Sequence, residues 1–420
     1  MASAKVIENS FLASACCASM DTLEKLADSS FTVQWLLEGA QRERREVPTV
    51  CAVDISQGKG FASKVYNVTI HLDGLIDPYA VILKVPGVEC LREVQASANA
   101  DGGSTFEADQ IAVAHNRECS FYDNYAAHID IPIPKMYKTV EWVVGEHEGA
   151  LLMESMFGKA ECMPLWTGCN LQQVRLQCCK HLATLMAHFL CLPKERWERD
   201  YKTNLFSSLA RMDFFAPFYA KLKEMKPGVF DEALNVFGRY VKSKKFFIYG
   251  MHEVGNDYGL PSVLIHGDLW SNNMLWKKNV DGSIANELAA IIDWQVVQEG
   301  SITTDLARFI TFCVDGEVRR EHQYEVLQYY YDTIVKLVKA EGKTVDFTID
   351  QMKEAYKVNC ACQSSQVIMM PAILFPNKDC SPQEAHIREA QLEKIYLRCQ
   401  LAMEDALEVL KEIPDGKLID

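Results

Sequence analysis

The residues best suited to chemistry lie in one stretch, Val263-Leu-Ile-His-Gly-Asp-Leu-Trp-Ser-Asn-Asn-Met-Leu-Trp276, and in its continuation Leu288-Ala-Ala-Ile-Ile-Asp-Trp-Gln295. An apolar run delivers Asp268, Asn273 follows five residues later, and Asp293 closes a second apolar run. The turn-rich segment Lys278 to Ile284 joins the two runs, so the three side chains fall on neighbouring loops of one hairpin-like unit. A carboxylate, a carboxamide oxygen and a second carboxylate suit phosphoryl transfer. Magnesium is hard and takes oxygen ligands, and a separate carboxylate must orient the attacking hydroxyl and accept its proton. On this reading Asp268 is the base, and Asn273 and Asp293 are the metal ligands. Each residue alone is an ordinary turn or cap former; only the joint pattern is specific.

Such a site needs elements to hold it, and the chain changes character along its length. Residues 21–46 carry Leu23, Leu26, Val33, Leu36 and Leu37 near helical spacing and end in a charged run, Gln41 to Glu46, that reads as a solvated helix end. Val50 to Ile55, Val65 to Leu72 and Tyr79 to Val85 read as strands, and residues 87–106 as a loose excursion. A helix is expected from His115 to Ala127, then strands near Lys135 to Val143 and Ala150 to Met153. Beyond Met156 the pattern is mainly helical, over Leu171 to Cys191, Asn204 to Met225, Asp231 to Lys245, Val318 to Glu341 and Ile349 to Met370. Ser381-Pro-Gln-Glu384 combines an N-cap, a first-turn proline and a capping-box glutamate, and opens a helix to about Lys411. A sheet-rich first third before a larger helical portion implies two lobes with a cleft between them.

Composition bounds the function. The 420 residues are 49% hydrophobic, enough for a large core, and the net charge of −14 with no basic block argues against a sequence-independent grip on nucleic acid. Fifteen cysteines without framework spacing read as reduced core thiols, Cys360 and Cys362 included, and point to a cytoplasmic protein. The apolar stretch Phe11 to Met20 lacks a basic n-region and is not expected to be a signal peptide, and no run approaches the length of a membrane span.

The pattern His266-Gly-Asp-Leu-x3-Asn-x-Leu, followed by a strand ending Asp293-Trp, resembles the catalytic and metal-binding loops of the aminoglycoside phosphotransferase and choline kinase group. With Gly-Asp-Leu-Trp and the chain length, it is most similar to the ecdysteroid-kinase-like, or CHK kinase-like, family. The resemblance covers about residues 45–400. It implies an α+β, bilobal protein-kinase-like fold with a small antiparallel N-lobe and a larger helical C-lobe. Residues 1–47 would form an N-terminal helical extension, 48–153 the nucleotide-clamping lobe, 154–158 a hinge, and 159–420 the C-lobe with both loops.

The resemblance also implies further site residues. Ser56-Gln-Gly-Lys-Gly-Phe-Ala-Ser-Lys-Val65 would be the glycine-rich turn over the phosphates, through Gly58, Gly60 and Ser63, the serine standing where a third glycine is usual. Lys84, ending Val81-Ile-Leu-Lys84, would meet the α- and β-phosphates, and Glu118 would hold that lysine. Glu154 and Met156 lie where the lobe-connecting hinge would hydrogen-bond an adenine edge. His266 would brace the catalytic loop, and Asp305 would hold its backbone amides. ATP and magnesium follow as the ligands, and a small-molecule alcohol as the acceptor. Gly267 replaces the arginine of the protein-kinase His-Arg-Asp motif, Trp-Gln follows Asp293, and no Ala-Pro-Glu segment closes an activation loop, so a peptide acceptor is not expected. The apolar run Val367 to Phe375 suggests a lipophilic acceptor pocket, as for a steroid, or else plain core. A choline- or ethanolamine-type kinase, a nucleotide-binding pseudokinase and an interaction protein are the other readings. Oligomeric state is not specified by the sequence.

Overall fold

The computed structural model of the chain describes residues 23–40, 49–56, 63–71, 79–88, 107–198, 201–202, 214–375 and 381–420. The stretch Phe11 to Met20, the run Gln41 to Glu46, Gly58, Gly60 and most of the 87–106 excursion lie outside the described residues.

Alternating β-branched segments build an antiparallel sheet of five strands. These are β1 (Thr49–Asp54), β2 (Ser63–His71), β3 (Tyr79–Pro86), β4 (Met136–Val140) and β5 (Ala150–Glu154), in spatial order β1-β2-β3-β5-β4. Successive strand residues face opposite sides, and the two sides belong to different cores. Tyr66, Val68, Ile70, Val81, Leu83, Val85, Ala150 and Leu152 pack against Leu26, Phe31, Leu36 and Leu37 from the N-terminal segment. On the other side Leu151 and Met153 join the large core of the helical portion, with Ile82 packed against it. Lys84 shares the Ile82 face of β3, an interior strand, and is therefore buried, not a surface lysine at a sheet edge.

Among the described residues 23–40, the helix expected over 21–46 is confined to α1 (Val33–Gly39), capped by Thr32; Ala27 has φ 54°, and Asp28 accepts from Lys64 Nζ at 2.5 Å and from Tyr66 Oη at 2.6 Å. The Asp28-Ser-Ser30 side chains favour local turns over helix. Seven residues are too few to be stable on propensity; burying Leu36 and Leu37, each worth about 1.5–3 kcal/mol, holds α1 on the sheet.

Helix α2 (Ala108–Asn124) lies between β3 and β4; after β5 the sheet ends, and a short strand, β6 (Ala160–Cys162), begins the helical portion. Its helices used below are α3 (Lys180–Cys191), α4 (Ala216–Met225), α5 (Asp231–Tyr240), α6 (Lys244–Ile248), α7 (Thr304–Cys313), α8 (Gly316–Ala340), α9 (Ile349–Val367), α10 (Met370–Leu374) and α11 (Pro382–Lys411). Ser381 caps α11 as its motif predicts, its hydroxyl accepting from the Glu384 amide at 3.3 Å while Glu384 accepts the Ser381 amide at 2.9 Å. Two expected helices are interrupted. The 231–245 element divides into α5 and α6, and the 349–370 element stops at Val367 because Pro371 requires a new first turn, which α10 supplies. A π-helical segment, Val174–Cys179, precedes α3, where periodicity alone predicts one uninterrupted helix.

Two small sheets, of two and three strands, frame the loops of interest. β7 (Ser262–Ile265) pairs with β10 (Gln298–Ser301), and β8 (Met274–Lys278) pairs with both β6 and β9 (Ile284–Ile291). Residues 266–268 therefore leave β7, Asn273 immediately precedes β8, and Asp293 lies just past β9. Among the described residues no helix is long and apolar enough to cross a membrane.

Candidate active site

The loop after β7 is held by its backbone. Asp305, at the start of α7, accepts the His266 amide at 2.7 Å and the Gly267 amide at 2.9 Å. Gly267 has φ 83°, and a Cβ there would sit 2.5 Å from the Val296 carbonyl oxygen, so the position excludes the arginine found in protein kinases. His266 Nε2 donates to the Ile292 carbonyl at 3.0 Å and Nδ1 accepts the Asp268 amide at 3.2 Å. Burial lowers the His266 pKa, which keeps the ring neutral in the tautomer both bonds require. His266 thus braces the loop through both nitrogens.

Asp268 is fixed at both carboxylate oxygens. Arg308 Nη2 donates to Oδ1, and Asn273 Nδ2 donates to Oδ2 at 3.1 Å and to the Asp268 carbonyl at 2.8 Å. Burial, and secondarily the nearby Asp293 charge, raise the Asp268 pKa against the opposing effects of Arg308 and Asn273. The Asn273 nitrogen is committed to Asp268, which leaves its carboxamide oxygen as the end that could meet a cation. The Asn273 carbonyl accepts the Ile292 amide at 3.0 Å, tying this loop to the one that carries Asp293.

Asp293 adopts the left-handed conformation, φ 68° and ψ 59°, a strained state for a residue with a Cβ. Its Oδ1 accepts from Lys84 Nζ at 2.5 Å, and Lys84 also donates to Glu118 Oε2 at 2.7 Å. The second Glu118 oxygen accepts the Trp294 amide at 3.2 Å, and the Trp294 ring stacks on Phe121 with centroids 3.9 Å apart. Strand β3, helix α2 and the turn after β9 are thereby joined. Burial lowers the Lys84 pKa, but Asp293 and Glu118 outweigh it and raise the ammonium pKa. Glu118, buried and sharing its cation with Asp293, is pushed upward.

Five predicted residues, Lys84, Glu118, Asp268, Asn273 and Asp293, thus meet across the cleft. Ser63 is buried at the first position of β2, opposite Pro86. Glu154 closes β5 opposite Val81, its side chain accepting the Lys135 amide at 3.4 Å. Met156 follows in the connecting turn, its carbonyl accepting the Lys159 and Ala160 amides at 3.0 Å each. Among the described residues no group of three or more His, Cys, Asp or Glu could hold a metal alone. The donor set of Asn273 and Asp293 nonetheless fits magnesium, whose shell is usually completed by substrate phosphates and water.

On the acceptor side, Val367, Ile368, Met369, Met370 and Phe375 are buried, and Phe375 packs edge-on to Trp166 with centroids 5.8 Å apart. What stands beside Asp268 is Arg308, with Gln363 and Gln366 behind it. Sequence reasoning missed these three, although an arginine in Leu306-Ala-Arg-Phe-Ile-Thr-Phe312 is a lone charge in an otherwise near-apolar helix, which is itself a signal.

Comparison with known proteins places the chain. Residues 48–413 match the model of the DUF1679 family, described as "Uncharacterized oxidoreductase dhs-27". The Caenorhabditis elegans protein of that description is 25% identical over 325 residues, 75% of this chain but only 39% of that protein, so its name describes a molecule of which this chain spans about two-fifths. A second Caenorhabditis elegans relative, "Uncharacterized kinase-like protein D1044.1", is 23% identical over 317 residues, 73% of this chain and 78% of that protein. Similar solved structures include a putative aminoglycoside phosphotransferase from Ralstonia eutropha JMP134, with TM-score 0.44, 12% identity, and coverage of 89% of this chain and 98% of that one. Another is a Plasmodium vivax ethanolamine kinase, with TM-score 0.41, 13% identity and coverage of 87% of each chain. The chain sets a five-stranded antiparallel sheet beside a larger, mainly helical portion and belongs to the DUF1679 family.

Proposed function

We propose that the protein transfers the γ-phosphoryl group of MgATP to the hydroxyl of a small alcohol. The observation that carries this reading is the convergence of Asp268, Asn273 and Asp293 from two tied loops, with Lys84 and Glu118 facing them from the other lobe. Asp268 would orient the acceptor hydroxyl and take its proton as the oxygen attacks phosphorus. Asn273 and Asp293 would hold magnesium, which when bound supplies charge neutralisation for the phosphates. Lys84, now shared between two carboxylates, would turn its donors to the α- and β-phosphates and keep Glu118 as its anchor. Gly58, Gly60 and Ser63 would cover the phosphates, and the backbone of Glu154 and Met156 would meet the adenine edge.

The acceptor hydroxyl would approach Asp268 beside Arg308, and the labelled product identifies the alcohol that carries it. The described cysteines are free thiols, which fits a reducing, cytoplasmic setting. The deciding experiment is incubation with γ-labelled ATP, magnesium and a fractionated metabolite extract, with mass-spectrometric identification of the labelled product. A magnesium-dependent phosphorylated alcohol is the expected result. Nucleotide binding without any labelled product would make the protein a pseudokinase, and absence of binding would remove the reading.

A further inference from the structure

Arg308 is almost fully buried, yet it spends its guanidinium on the candidate base. One nitrogen, Nη2, donates to Asp268 Oδ1, and the other, Nη1, donates to Gln363 Oε1 and Gln366 Oε1 at 2.8 Å each. The guanidinium carbon lies 4.3 Å from the ring centroid of Phe312, one turn along α7, so the group is also sandwiched against an aromatic face. Gln363 and Gln366 stand three residues apart on one face of α9 and are 0% and 1% exposed.

This arrangement is costly as a piece of core. Turning both carboxamide oxygens to Arg308 leaves Gln363 Nε2 and Gln366 Nε2 buried with no partner among the described residues. A buried donor without an acceptor loses its full hydration, and an apolar replacement of a buried ionic array is commonly neutral or stabilising. Two unsatisfied amides behind one guanidinium therefore have no explanation in stability. They have one in orientation: α9 sets Arg308, Arg308 sets Asp268 Oδ1, and Asn273 sets Oδ2, so the carboxylate plane is fixed while each oxygen keeps a lone pair for an acceptor hydroxyl.

We propose that Arg308 is a positioning residue for Asp268, set by Gln363 and Gln366, and that this buried array serves turnover at the expense of stability. The inference rests on the phosphotransfer reading above. A displacement of the base by about 1 Å is enough to cost roughly 100-fold in rate. Lysine cannot replace the fork, because one ammonium does not span a carboxylate and two carboxamides in fixed planar geometry.

The test compares wild type with R308K, and wild type with the apolar quadruple variant D268L/R308M/Q363L/Q366L, which removes the carboxylate together with its cation, all in the full chain. Three quantities are read: melting temperature for the quadruple variant, and for R308K the calorimetric Kd for MgATP and transfer from γ-labelled MgATP to the extract fraction that accepts label with wild type. The expected result is a quadruple variant at least as heat-stable as wild type, and in R308K a MgATP Kd within about threefold of wild type with kcat lowered roughly 100-fold or more. Wild-type turnover in R308K, or a quadruple variant that melts lower or fails to fold, would overturn the proposal. A wild-type chain that neither binds MgATP nor transfers label would instead sink the phosphotransfer reading beneath it, a result distinguishable from failure of the variants alone.

Discussion

Lys84 and Arg308 are both buried cations paired with a carboxylate of the candidate site, yet they connect different things. Lys84 joins strand β3 to helix α2 and to the turn after β9, and so ties the two lobes through Glu118 and Asp293. Arg308 stays within the helical lobe, joining the loop after β7 to α9 through Asp268 and two glutamines. A compact ammonium shared between two carboxylates can release one of them when phosphates arrive. A planar fork engaged on three oxygens is built to stay. The comparison separates a contact that nucleotide would rearrange from one that holds the base still.

The largest effect should come from the base itself. Asp268→Asn is expected to keep MgATP binding but lose roughly 10²–10⁴-fold in kcat, the range for one acid–base group, in an assay of labelled transfer. Normal turnover in that variant would remove Asp268 from the role and leave Arg308 with nothing to position. Next, Lys84→Met leaves Glu118 buried opposite Asp293 with no cation, and should lower folding free energy by about 3–5 kcal/mol in a denaturant titration. Apolar replacement of Asp268, Arg308, Gln363 and Gln366 together removes charge and counter-charge at once and is expected to show no such loss. Gly267→Ala should cost about 1–3 kcal/mol, read as a lower melting temperature, because φ 83° disfavours a Cβ and the Val296 carbonyl occupies its place.

The smallest effect is acid sensitivity near Lys84. His115, one turn before Glu118 on α2, donates to the Val140 carbonyl at 2.8 Å, and burial first, then the Lys84 charge, lower its pKa to about 4. Its folded pKa is below its unfolded value of about 6.5, so the unfolded chain takes up the proton first as pH falls. The stability it contributes is complete above about pH 6.5 and is lost as pH falls towards 4. Between pH 6.5 and 5.5 the loss is about 1 kcal/mol, and His115→Gln should remove that part of the slope. An unchanged slope would place the acid-labile group elsewhere.

Legibility followed continuity of sequence. Asp268, Asn273 and Asp293 could be read because one hairpin carries all three, and strand patterning located each at a loop. Lys84 and Glu118, 34 residues apart, acquired meaning only from their order within a resembled family. Arg308 and Gln363, 55 residues apart on two helices, have no shared pattern at all and become a unit only through the packing of α7 on α9. The run Val367 to Phe375 has no single meaning in the sequence, because apolarity reports burial and a core and a pocket have the same composition. At the N-terminus, helical spacing in 21–46 was overruled by turn-forming Asp28-Ser-Ser30 and its bonds to β2.

Calorimetric titration of ATP into wild type and Asp293→Ala, each with and without magnesium, tests the central claim most directly. The account predicts binding by wild type that depends on magnesium and is weakened by about tenfold to a hundredfold or more in the variant. Absence of binding by wild type, or equal affinity in all four titrations, would contradict it.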